Sequence, residues 1–134
     1  MDGFGVMLGY MAGNENSAAA VTSAISKKIT GLTLGDDDAL HFVFEDGLKI
    51  KIEDTGQSCC ESRYMRTDDN LADFIGAVLL GGELKDAPST VDEWGTEHEV
   101  QFLEIKTSKG VFTMASHNEH NGYYGGFCIR ASVE

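Results

Sequence analysis

Proline occurs once in this chain, at Pro88, and cysteine only three times, at Cys59, Cys60 and Cys128. A single proline beside sixteen glycines argues against a disordered tail and for ordered strands joined by tight turns. An odd cysteine count with two adjacent residues is a poor disulfide framework, so the chain reads as reduced and cytoplasmic. No apolar run approaches the roughly 20 residues needed to span a bilayer, and no membrane partner is expected. The apolar, Gly-rich start over residues 1–12 lacks a basic segment and carries Asp2, which argues against a secretory signal.

Positive charge is also scarce. Ten Lys and Arg stand against twenty-two Asp and Glu, for a net charge of -12. A nucleic-acid polymer presents a dense line of phosphates that basic residues must neutralise, so a polymer partner is excluded. A small anion is not, because a pocket needs only a local cluster of donors. Catalytic motifs are missing as well: there is no P-loop, G-x-G-x-x-G, H-E-x-x-H or G-x-S-x-G. The acid runs Asp36-Asp37-Asp38 and Asp68-Asp69 read as a turn and a helix cap. No catalytic residue, resident cofactor or metal is expected.

What is present suits a core. With 134 residues, of which 42% are hydrophobic, the chain fits a single domain. Residues 1–27 read as an N-terminal arm followed by a short helix over 17–28, capped by Asn16 or Ser17. Residues 28–134 read as the main domain. Leu40, Phe42 and Phe44 alternate with polar neighbours, Asp46-Gly47 marks a hairpin, and Leu48, Ile50 and Ile52 alternate again. A short strand at Tyr64-Met65, a helix over 68–77 capped by Asp68 or Asp69, and a strand over 78–84 follow. A polar loop then spans 87–97. Strands over 99–107 and 111–116 flank a turn at Ser108-Lys109-Gly110, and a loop over 117–122 leads into a last strand over 123–131. The expected class is α+β: a mainly antiparallel sheet of about seven strands with two short helices.

Three groups of residues could carry chemistry. Arg63, Arg66 and Arg130 are the only arginines. A guanidinium offers a planar fork suited to phosphate, so they read either as an anion clamp or as surface ion pairs with the many acids. The run His117-Asn118-Glu119-His120-Asn121-Gly122-Tyr123-Tyr124 gathers imidazoles, amides and rings able to read and stack on a base. The same run also contains a good hairpin turn at Asn121-Gly122. Cys59 and Cys60 suggest a metal with His117, His120 or Cys128. Adjacent strand residues point to opposite faces, however, which favours buried structural thiols over zinc. Phe102 shares a face with Val100 and reads as core, or as a ring beside a ligand.

Cys59-Cys60-Glu61-Ser62 followed by Tyr64, the stretch Asp73-Phe74-Ile75-Gly76, and the closing Asn121-Gly122-Tyr123-Tyr124 occur in an order that resembles the first Thoeris anti-defence family of phage and prophage proteins. The likeness covers residues 28–131. It implies an antiparallel sheet with two short helices and a sponge function: binding the cyclic ADP-ribose isomers made by bacterial TIR immune enzymes without cleaving them. Some members also bind cyclic oligonucleotides. The resemblance further implies a homo-oligomer, up to a hexamer, with pockets at subunit contacts, in the cytoplasm of an infected bacterial host. On that basis Arg130 and Phe102 are candidate ligand contacts, joined by His117, Asn118, Asn121 and Tyr124 from the polar run. Arg63 and Arg66 are added on chemical grounds. The competing readings are a phosphodiesterase-like enzyme that degrades the signal, built on His117, His120 and nearby acids, and an acidic inhibitor that binds a host protein.

Overall fold

A computed structural model describes residues 14–56, 61–120 and 126–134. Helix α1 spans Asn14–Ala24. Nine strands follow among the described residues: β1 Ile29–Leu34, β2 Ala39–Phe44, β3 Lys49–Asp54, β4 Ser62–Arg66, β5 Leu79–Asp86, β6 Thr90–Val91, β7 Glu97–Thr107, β8 Gly110–His120 and β9 Ile129–Val133. They form two antiparallel sheets, one ordered β1-β2-β3-β9 and the other β4-β8-β7-β5, with β6 added to β7. No helix among the described residues is long and apolar enough to cross a membrane.

The expected meander is β1-β2-β3. Its second hairpin turns at Asp46-Gly47, where Gly47 adopts φ +88°, a left-handed conformation that costs glycine little. The inner faces of both sheets share one core: Phe42, Phe44, Ile50, Ile52 and Ile129 from the first, and Met65, Leu79, Leu103, Ile105, Phe112 and Met114 from the second. Helix α1 adds Ala20, Val21 and Ala24 to it. The helix also covers the open edge of β9, where Ser17 Oγ accepts from the Ala131 amide at 3.1 Å and donates to its carbonyl at 3.4 Å. A free strand edge is a template for unwanted pairing, and this contact blunts it. Ser17 therefore lies inside the helix rather than capping it.

Three expectations need correction. The strands number nine rather than about seven. The helix expected over 68–77 is a 3-10 turn, Leu71–Phe74, capped by Asn70 rather than Asp68 or Asp69. Asp69 instead accepts from the Thr113 amide at 2.8 Å. The loop expected at 117 is strand: β8 continues to His120, and alternate residues Ser116, Asn118 and His120 are buried. Polar residues on both faces concealed the period of two.

The chain passes between sheets after β3 and before β9, and one ion-pair network spans the gap. Arg63 Nη1 donates to both Asp54 oxygens at 2.9 and 2.8 Å, and Nη2 donates to Glu61 at 2.8 Å. Asp54 Oδ1 also accepts from the amides of Gly56 and Cys128. A Cβ at Gly56 would lie 2.8 Å from Arg63 Nη1, so the approach requires glycine. The Arg63 side chain is only 9% exposed, whereas Arg66, paired with Asp38, is 61% exposed. Breaking a buried pair strands its partner charges and costs about 3–5 kcal/mol, while an exposed pair contributes about 0–1 kcal/mol. Urea unfolding is therefore expected to show Arg63→Met losing about 3 kcal/mol or more and Arg66→Met losing less than about 1 kcal/mol. Equal losses would remove the distinction.

Candidate functional site

The two-residue turn Ser108-Lys109 sets the register of β7 against β8, placing Val100 opposite His117 and Phe102 opposite Ala115. β4 continues both rows, with Tyr64 opposite His117 and Arg66 opposite Ala115. Directly opposed residues share a face, so Arg66, Ala115 and Phe102 line up across the outer side of the second sheet, beside Tyr64, His117 and Val100. Ala115 and Thr113 are small and sit between larger neighbours. The result is a cleft of about 650 Å³ lined by Arg66, Phe102, His117, Val100, Thr113 and Ala115. That volume falls within the range of small-molecule sites.

His117, one of the lining residues, is stacked against Tyr64. The Tyr64 and His117 rings lie 4.7 Å apart and 8° from parallel, and the Arg66 guanidinium carbon sits 5.0 Å from the Tyr64 ring centre. Tyr64 Oη donates to Glu119 at 2.9 Å. Burial, reinforced by that hydrogen bond, pushes the phenol above its usual range. His117 Nδ1 lies 2.8 Å from His98 Nε2. Burial first, and then the neighbouring His98, holds the His117 imidazole below its ordinary value of 6.5, with Glu119 opposing. His117 thus presents a flat, neutral ring near pH 7. Both hydrogen bonds of Arg66, to Asp38 and to the Met65 carbonyl, use Nη1. Its Nη2 and Nε make no hydrogen bond among the described residues. Asp68 and Asp69 at the rim supply carboxylates.

Of the residues singled out from sequence, Arg66, Phe102 and His117 converge here. Arg63 and Asn118 do not. They lie on the inner face, joined through Glu61, which accepts from Arg63 Nη2 at 2.8 Å and from Asn118 Nδ2 at 2.9 Å. Arg130 stands on β9 in the other sheet, opposite Glu53. Asn121, Tyr124, Cys59 and Cys60 lie outside the described residues. Tyr64, Thr113 and Ala115 were not foreseen as site residues. The turn at Ser108-Lys109 carries the signal for the latter two, because it dictates what faces Phe102.

The sequence profile of a domain of unknown function, DUF7448, matches residues 22–129. The chain belongs to the DUF7448 family. No curated protein and no solved structure matches it. The part of the chain assigned to DUF7448 contains the whole cleft and ends one residue before Arg130.

The depressed His117 value has a sign. The unfolded chain takes up this proton more readily, so the stability tied to a neutral His117 is fully present above pH 6.5 and is lost as the pH falls through its lower folded value. His117→Phe keeps a ring against Tyr64 and removes the titration. Its melting temperature should fall less than that of the native chain between about pH 7.5 and about pH 5. Parallel curves would exclude a His117 held neutral by the fold.

Proposed function

We propose that this DUF7448 domain holds a small nucleotide-like anion in the outer cleft and releases it unchanged. The observation that carries the reading is the convergence of Arg66, Phe102 and His117, whose ring stacks on Tyr64, around one cavity of suitable size. Arg66 offers the unengaged side of its fork to a phosphate. Phe102 and the His117 ring offer faces to a base, since aromatic stacking needs no particular base edge. Asp68 and Asp69 offer acceptors to ribose hydroxyls. A neutral His117 suits stacking better than proton transfer to a leaving group.

The finer proposal is that the ligand is a cyclic ADP-ribose isomer made by TIR immune enzymes, with cyclic oligonucleotides as a second class. The chain would then act as a phage anti-defence sponge in the cytoplasm of the infected cell. The resemblance to the first Thoeris anti-defence family supports this, and the cleft chemistry is compatible with it. A second copy of the chain would cover the open side of the cleft: β4 is an edge strand, and Val91 and Trp94 are exposed large apolar residues.

Titration calorimetry with cyclic ADP-ribose isomers and cyclic oligonucleotides tests the reading. Submicromolar binding is expected to at least one, because a sponge must compete with a signalling receptor. Arg66→Ala and Phe102→Ala should each weaken it by about 10- to 100-fold, corresponding to about 1.4–3 kcal/mol, and Arg130→Ala should leave it unchanged. Binding to none of these ligands sinks the proposal, and sensitivity to Arg130 alone sinks the placement in the cleft. Chromatography of the denatured mixture should return intact ligand; cleaved product would favour the phosphodiesterase reading. Light scattering at micromolar concentration should give a multiple of the chain mass, and a monomer would contradict the shared pocket.

A further inference from the structure

The inner face of β7 and β8 changes character along its length. Ile105 opposite Phe112 and Leu103 opposite Met114 are core; Gln101 opposite Ser116, Glu99 opposite Asn118, and Glu97 opposite His120 are polar. At this end, among the described residues, carboxylates outnumber the lysines and arginines that face them. His120, whose side chain is 1% exposed, places Nε2 at 2.7 Å from Glu99 Oε1 and 3.2 Å from Glu97 Oε2. A single ring nitrogen carries at most one proton, yet two carboxylates converge on it. Neither glutamate pairs with a lysine or arginine among the described residues, because Arg63, the cation on the neighbouring strand, is committed to Asp54 and Glu61. Independently, Asn118 is fully buried opposite Glu99, and its Oδ1 has no donor among the described residues. The amide orientation is fixed, since Nδ2 donates to the Glu61 carboxylate and the Gly126 carbonyl.

We infer that Glu97, Glu99 and His120 form a divalent-cation site, next to the buried Asn118 that stands opposite Glu99. One ligand atom from each of the three lies within 4.8 Å of the others, close enough to surround one ion. A divalent charge offsets both carboxylates. One imidazole nitrogen with carboxylate oxygens, the donor set among the described residues, suits Mn²⁺ or Zn²⁺ better than Mg²⁺, which prefers an all-oxygen shell. The site is separate from the anion cleft, which lies on the opposite face of the same strands. Glu99 Oε1 also accepts from the Gly126 amide at 3.0 Å, so an ion here would fasten β7 and β8 to the segment entering β9.

Chelator-treated full-length chain titrated with MnCl2, ZnCl2 or MgCl2, by calorimetry and thermal melting, provides the test. One Mn²⁺ or Zn²⁺ per chain is expected, with a raised melting temperature and weaker binding of Mg²⁺. Glu97→Gln and Glu99→Gln preserve shape and should each weaken binding by about 10-fold or more, and Asp36→Asn, in a distant acidic turn, should not. His120→Asn should abolish binding; because this residue is buried, the two glutamine variants decide the matter if it fails to fold. An unchanged melting temperature with Mn²⁺ and Zn²⁺, undiminished binding in the Glu97→Gln/Glu99→Gln double variant, or an equal loss in Asp36→Asn would each overturn the site.

Discussion

The Arg63 fork is the interaction around which the two sheets are arranged. The described strands change sheet after β3 and again before β9, and at both places backbone amides turn to the same Asp54 carboxylate. A carboxylate accepting two amides and, through both oxygens, one guanidinium nitrogen is held strongly, because each bond is charge-assisted and little water competes. Glu61 repeats the arrangement on the other side of the fork, engaging Asn118 on β8. The network thus ties together β3, β4, β8 and the entry to β9, where apolar packing alone would leave the sheets free to slide.

That commitment decides which arginine is available to a ligand. Arg63 and Arg66 stand three apart, and on a strand an odd spacing places two residues on opposite faces. One fork is consumed between the sheets while the other lies over the Tyr64 ring on the outside. Read from sequence, both belong with Arg130 to a candidate anion clamp; the strand period separates them. Had β4 been a helix, the same spacing would have put both on one face.

Much of the fold was legible because it rests on local rules. The meander follows from alternation and from Asp46-Gly47, and the β7–β8 pairing follows from its turn. The polar run from His117 to His120 reads as loop because polarity usually signals solvent, yet Asn118 and His120 face inward. They are tolerated there because Glu61, Glu97 and Glu99 face inward with them. Those glutamates come from other strands, so no reading of one segment could reveal the compensation. For the same reason Phe102 and His117 were legible as candidates, but their shared cleft with Arg66 required the register of three strands.

The net charge of -12 then acquires a more specific meaning. An acidic surface repels an anion at long range, but screening confines that field to about 8 Å at physiological salt. Inside a cleft, the nearest charge and the desolvated rings govern. Arg66 is the one cation in a cleft lined otherwise by small and aromatic residues and by Asp68 and Asp69. On the opposite face of the same strands the acids dominate, gathered around a buried imidazole. A two-stranded core pair can therefore present opposite electrostatic characters on its two sides, because alternation sends successive residues to different solvents. The period of two that builds the sheet also keeps the proposed anion cleft and the proposed cation site apart within one thin layer.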